Sequence, residues 1–274
     1  MFNLKLKVMP KQESFIELKG TMGKVTFYKT EGEYMARRKG GMSRERMFND
    51  PELGRIRENL SEFGGAAFVG KEFRTGLKSL IKSLGDSRVT ARVTGVMRKI
   101  NGAGTGKRGQ RSFEMLPNKR YLERLELNRY RSLASVFWPE YGEPTADANR
   151  SVLTWVVPDF HTERDLGVPD GATHFQLVLA STVLSDYTYD VQDGGYVPVE
   201  REVARKKAIA YSEALPIGGM LGSDLTLSTD LGLTEALPET AALVNLIGVQ
   251  FFQQVDGELY LLEGAQALQV VNVL

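Results

Sequence analysis

Cysteine is absent from all 274 residues. That excludes disulfides, thiolate-bound metal and a cysteine nucleophile. Histidine occurs only at His161 and His174, which leaves little room for imidazole acid–base chemistry. No apolar run approaches the roughly 20 residues that a membrane-spanning helix needs. FGGAAFVG at 63–70 is among the longest. The first residues, MFNLKLKVMPKQESF, alternate apolar with basic, whereas a cleavable export signal needs an unbroken apolar core. These absences predict a soluble chain, made in the cytoplasm, with no membrane span. Release as part of an assembly stays open. No G-x-S-x-G elbow occurs either.

What the sequence does hold is a division of charge. Residues 1–140 carry 29 Lys+Arg against 15 Asp+Glu, and residues 141–274 carry 6 against 19. The net charge of +1 therefore hides halves of +14 and −13. Asymmetry of this size points to interaction rather than to a particular reaction.

The densest basic stretch with glycine is NGAGTGKRGQRS at 101–112. It fails as a Walker A loop. Aligning Gly106-Lys107 puts Asn101 where the first glycine belongs and Arg108 where the magnesium-binding hydroxyl belongs. Gly104-x-Gly106-x-x-Gly109 matches the dinucleotide fingerprint in letters, but it follows an expected helix instead of a strand, and no βαβ unit surrounds it. Two readings remain: a basic connector, or a contact in which Lys107, Arg108 and Arg111, with Lys119 and Arg120 nearby, meet an anionic partner.

Other constellations are weaker. Asp159-x-His161-x-Glu163 puts three donor types on alternate positions, but in a polar turn. Asp186, Asp190 and Asp193 do not have EF-hand spacing. Both read as surface. Phe27, Tyr28, Tyr34, Arg37 and Arg38 could offer a base-stacking sheet, but the glycine-aromatic patterns of the common RNA-binding sheet are missing. The aromatics read instead as a small core facing the next helix. No catalytic residue, cofactor or metal site is expected.

The first forty residues read as short strands at Leu4, Leu6 and Val8, then FIELKG, KVTFYKT and EYMARRK, with Glu31-Gly32 as a tight turn. Asp50-Pro51-Glu52 is a helix start. Leu53, Ile56, Leu60, Phe63 and Ala67 mark one helical face, and Phe73, Leu77, Leu80, Ile81 and Leu84 a second, ended by Gly85. Gly64, Gly65, Gly70 and Gly76 predict a break or bend near Gly64-Gly65, with close packing against another backbone. Residues 88–100 predict a helix burying Val89, Val93, Val96, Met97 and Ile100, with Arg88, Arg92 and Lys99 on a separate basic face. Asp86 or Ser87 would cap its start and Asn101-Gly102 its end.

From residue 113 the pattern becomes strands: YLERLEL, RSLASVFW, SVLTWVV, THFQLVLAST, GYVPVER, KKAIAYSEA, SDLTLST, ALVNLIGVQFF, LYLLEG and LQVVNV. The expected fold is α+β: a basic β-plus-helical region over 1–112, then an acidic β-sandwich over 113–274, immunoglobulin-like or jelly-roll-like. KVTFYKTEGEYMARRKGG, the NDPELGRIRENLSEFG helix start and KRGQRS are similar to a group of uncharacterised bacterial proteins, mainly over the N-terminal half. That resemblance implies no activity and no site residues.

The reading that follows is a non-enzymatic structural protein that self-associates, basic N-terminal surface on acidic C-terminal surface, head to tail into a filament, tube or particle. The alternatives are a sequence-independent nucleic-acid binder using the basic half, and a protein-binding adaptor.

Overall fold

A computed structural model describes residues 10–13, 16–30 and 32–274. The strand expected at Leu4, Leu6 and Val8 lies outside the described residues, as does Glu31 of the Glu31-Gly32 turn. The chain forms two compact units, Met1–Arg57 and Glu58–Leu274.

The first unit holds an antiparallel sheet, β1 (Gly20–Met22), β2 (Val25–Thr30) and β3 (Glu33–Arg38), in that order. Among the described residues Met35 is the buried side chain of this sheet. Tyr28 and Tyr34 are half-buried, and their ring faces carry cations: Arg37 lies 5.3 Å from the Tyr28 centroid and Lys29 4.5 Å from that of Tyr34. Ser43 caps α1 (Arg44–Asn49), accepting from the Arg46 N–H at 3.2 Å. The Asp50-Pro51 signal starts a single 3-10 turn, Pro51–Leu53, with the Asp50 carboxylate accepting from the Glu52 N–H at 3.0 Å. The long helix α2 (Gly54–Gly76) comes next.

From Glu58 onward the chain belongs to the second unit, which also contains α3 (Lys78–Leu84) and α4 (Val89–Ala103). Its strands are β4 (Thr145–Ala146), β5 (Val152–Val157), β6 (His174–Ser185), β7 (Tyr187–Asp190), β8 (Gly195–Pro198), β9 (Lys207–Tyr211), β10 (Leu215–Pro216), β11 (Leu225–Asp230), β12 (Ala241–Val255), β13 (Glu258–Leu261) and β14 (Ala267–Val273). The centre is the antiparallel pair β6–β12, in register from Ala241 opposite Ser185 to Phe252 opposite His174. β9 and β10 flank β6, and β14 and β13 flank β12. A second sheet runs β11-β5-β4, and β7–β8 form a separate hairpin.

Strand alternation sends the central pair's side chains to two cores. Phe175, Leu177 and Leu179 with Val249 and Phe251 pack with Leu153, Trp155 and Val157 of β5. Val178, Ala180 and Leu184 with Val244 and Leu246 share a core with Phe73, Leu80, Val93 and Met97 of the helices. The helices are thus one layer on the sheet. The compact units part at Arg57/Glu58, and position 112/113 lies inside the second unit. The fold is mixed helix and strand with antiparallel sheets.

Two expected strands are replaced by irregular chain. YLERLEL runs beside β14, with Leu127 N–H donating to Leu268 O at 2.8 Å, but Arg124 at φ 64 breaks its extension. In RSLASVFW the residues Leu133–Ser135 form a 3-10 turn, because the Glu126 carboxylate accepts from the Leu133 N–H at 3.2 Å.

Candidate functional site

The basic glycine loop is folded onto α2 chiefly around the Glu62 carboxylate. Glu62, 9% exposed, accepts the Gly109 N–H at 2.8 Å and grips Arg111 side-on, with Nε at 2.8 Å and Nη2 at 2.7 Å. Arg111 Nη1 reaches back to Gly102 O at 2.8 Å, and Asn101 Nδ2 donates to Arg111 O at 2.6 Å. Ser61 Oγ donates to Gly109 O at 2.6 Å. The Arg111 hydrogen bonds, helped by the Gly109 N–H and Arg108, hold the Glu62 carboxyl below its ordinary range despite burial. A second knot forms at Glu114, which accepts Thr105 Oγ1 at 2.5 Å and Ser112 Oγ at 2.7 Å; these bonds also hold its carboxyl low. Gly109 sits at φ 91 with Glu58 atoms within 3.2 Å of where a Cβ would be, so both conformation and space require glycine.

The eight expected interaction residues therefore separate. Arg111 is engaged with Glu62. Arg108 donates to Asn59 Oδ1 at 3.0 Å and pairs with Glu58 at 3.6 Å. Arg92 is not on an open basic face: it makes an end-on pair with Asp86 through Nη1 and Nη2 (3.1 and 2.7 Å) and donates to the carbonyls of Glu126 and Leu127. Burial pushes the Asp86 carboxyl up, but Arg92 and the N–H groups of Arg129 and Arg88 outweigh it and leave it below the usual range. Lys119 pairs loosely with Glu123 at 3.9 Å, and Arg120 stacks on Tyr121 at 4.9 Å. Arg88 is exposed at the start of α4, where its N–H donates to Asp86 Oδ1 at 2.6 Å. Lys99 and Lys107 are exposed and make no ion pair among the described residues. The helix runs past Asn101-Gly102 to Ala103, because Asn101 is buried and bonded to the loop.

The glycines also separate. α2 is unbroken at Gly64-Gly65, and the bend comes at Leu77, between α2 and α3. A Cβ on Gly65 would overlap the Tyr196 ring, and one on Gly76 would overlap Thr182 Oγ1; one on Gly70 would stand 3.2 Å from Val93 Cγ1. Gly64 faces open space. The buried face of α2 is thus its small-residue face, with Gly65, Ala66, Val69, Gly70 and Phe73 inside. That overturns the expected apolar face. Leu60 and Phe63 are 44% and 50% exposed, because glycine lets the helix backbone approach its neighbours and turns the larger side chains outward.

Outside the helix lies an apolar groove of about 410 Å³. Leu60, Gly64 and Phe68, one turn apart along α2, form one side, and Tyr189, Tyr196 and the Gly194-Gly195 turn form the other. The sequence names these aromatics but gives no sign that they converge, since more than a hundred positions separate Phe68 from Tyr189.

The histidine segment serves its own turn. His161 Nδ1 accepts the Arg164 N–H at 3.3 Å, and Asp159 accepts the Gly222 N–H at 2.8 Å. Asp186 accepts the Met115 N–H at 2.7 Å, and Asp190 that of Gln192 at 2.7 Å. Among the described residues no group of three or more His, Cys, Asp and Glu gathers as for a metal, and no helix is long and apolar enough to cross a membrane. The chain matches no protein-family model, no curated protein and no solved structure.

Proposed function

We propose that the protein is an assembly protein whose copies associate through unlike surfaces, the basic helical layer of one against the acidic β region of the next. The observation that carries this is how the carboxylates are used. Residues 58–112 hold four, Glu58, Glu62, Glu72 and Asp86, against eleven Lys+Arg. All four form ion pairs, with Arg108, Arg111, Arg205 and Arg92 respectively. Residues 208–274 hold eight carboxylates and no Lys or Arg. The Arg205–Glu72 ion pair joins the helical stretch to the β region, and it does so in the reverse sense. Within residues 58–112 the cations therefore outnumber the carboxylates by eleven to four. Complementary surfaces of this kind steer association, and apolar contact supplies affinity.

The building block on this reading is a β-sandwich. The β5–β11 sheet faces the β6–β12 sheet across the Trp155 core, and the helices cover the sandwich's other face.

Sedimentation velocity across a salt series tests the reading. The expected result is concentration-dependent growth at low salt that shrinks as salt screens the contact. A monomer at every salt and concentration overturns it. The same exposed cations would grip phosphate in a nucleic-acid binder, so a nucleic-acid mobility shift by a strictly monomeric chain selects that second reading.

A further inference from the structure

We propose that one face of the β1–β3 sheet docks on the acidic loop end of the β region of a second copy. This rests on the assembly reading and adds the N-terminal sheet to its basic side. Residues directly opposite in an antiparallel pair share a face. Tyr34 with Lys29, Phe27 with Ala36, Val25 with Arg38 and Met22 with Val25 make up one such face. Lys19 joins it, 5.9 Å over the Tyr34 ring. Met22 is 66% exposed, and Val25, Lys29 and Arg38 are exposed with it. Lys24 and Lys39 hold the adjoining end, where the Lys39 N–H donates to Lys24 O at 2.6 Å. None of these five cations forms an ion pair among the described residues. Glu33 belongs to the sheet's other face and bonds Lys11 at 2.6 Å. Glu17, just before Lys19, is the single carboxylate of residues 16–30.

The receiving surface is one end of the β region, where three loops are laced together. The Thr173 N–H donates to Phe252 O at 2.8 Å and the Ile217 N–H to Thr173 O at 2.9 Å. The Thr162 N–H donates to Gly219 O at 2.9 Å and the Leu221 N–H to Phe160 O at 3.0 Å. These loops and the β12–β13 hairpin expose Asp159, Glu163, Asp170, Asp224, Asp256 and Glu258. Arg164 is the single Lys or Arg of residues 151–200, and Asp165 holds it at 2.9 Å. His161 and His174 are half-buried in the same loops. Asp159 and Asp224 accept the Gly222 and Asp159 N–H groups, which fix the carboxylates without cancelling their charge. Met220, Val255, Leu259 and Tyr260 are exposed among them, Tyr260 by 58%.

Unpaired cations around exposed aliphatic side chains thus meet exposed carboxylates around exposed apolar ones. That is an apolar centre with a charged rim, complementary in sign. The sheet face favours protein over nucleic acid as its occupant. Met22 and Val25 offer a base no aromatic plane, and Lys29 already lies over the Tyr34 ring at 4.5 Å. The two surfaces are unlike, so the contact is heterologous and repeats head to tail.

Charge exchange tests the contact. Lys29→Glu with Arg38→Glu on one chain, and Asp170→Lys with Glu258→Lys on another, should each melt like the parent. Each should weaken association in sedimentation velocity by about tenfold or more. Mixing the two variants should restore it, because the reversed sheet of one meets the reversed loop end of the other. Glu235→Lys with Glu239→Lys, exposed near the Ala241 end of β12, should change association by less than about threefold. Mixing without recovery, or an equal loss from the Glu235 and Glu239 changes, overturns the proposal. Salt-dependent growth of the parent would then leave the broader assembly reading standing. Because the chain lacks cysteine, Met22→Cys and Leu259→Cys can be placed together on one chain. A short bismaleimide should join such chains into ladders, and a link closed within single chains overturns the proposal. A parent chain that is monomeric at every salt and concentration overturns both.

Discussion

Glu62 and Arg111 stand 49 positions apart and meet through two hydrogen bonds of 2.7 and 2.8 Å, on a carboxylate that also holds the Gly109 N–H. This contact turns a glycine-rich basic segment into a fixed element of the helical layer. Removing one partner of a largely buried pair leaves the other charge without its bonds. Glu62→Ala should therefore cost roughly 2–4 kcal/mol, measured by urea unfolding. Hydrogen exchange at Gly109 should accelerate in the same variant. Lys107→Glu, one loop position from Arg108 but exposed, should change stability by less than about 0.5 kcal/mol.

Adjacent glycines on α2 should respond in opposite directions. Gly64→Ala gains helix propensity in open space and should stabilise by about 0.5–1 kcal/mol. Gly65→Ala must displace the Tyr196 ring, whose other side packs edge-on to Phe113 at 4.9 Å, and should destabilise by about 1–3 kcal/mol. Thermal unfolding of the two variants beside the parent chain checks the sign of each.

The outward apolar residues of α2 should be dispensable to the monomer. Phe63→Ser removes a half-exposed ring and should shift stability by less than about 1 kcal/mol. Phe73→Ala empties a fully buried site and should cost about 3–5 kcal/mol. A large loss from Phe63→Ser in urea unfolding would mean that this face is covered.

These contrasts mark how far the sequence could be read. Short apolar runs bounded by turn signals located β5, β6, β12 and β14, and β6 and β12 bury both faces, one in each core. They misplaced 121–138, where positive φ at Arg124 and a carboxylate at Leu133 N–H decide the backbone. The helical period located α2 but inverted its faces, since periodicity ranks leucine above glycine and close approach ranks glycine first. The basic loop was visible in composition. Its anionic partners were Glu58 and Glu62 on a distant helix, and nothing in the spacing of one chain names such pairs.

The pH dependence of stability should show a mild-acid maximum. Burial pushes the Glu126 carboxyl up to about 7, against the Leu133 N–H and Gln269 Nε2 donors that favour its charge. Arg92 and Tyr141 are the other ionisable groups that influence it or are influenced by it. Burial likewise raises Asp186 to about 6, with Glu114 and Glu200 adding repulsion. Both groups bind the proton more tightly folded than unfolded. Their contribution is complete below about pH 4 and is lost as pH rises through about 6 and 7. Glu62, Asp86 and Glu114 have the opposite sign: their contribution is present above about pH 4 and is lost as pH falls through their depressed values. The two sets together place the optimum at about pH 4 to 4.5. Glu126→Gln keeps an acceptor for Leu133 and removes the buried charge. It should stabilise the chain by on the order of 1–3 kcal/mol at pH 8 and by nearly nothing at pH 4.5. Urea unfolding of parent and variant at the two pH values decides it, and equal gains at both would show that the Glu126 proton is not linked to folding.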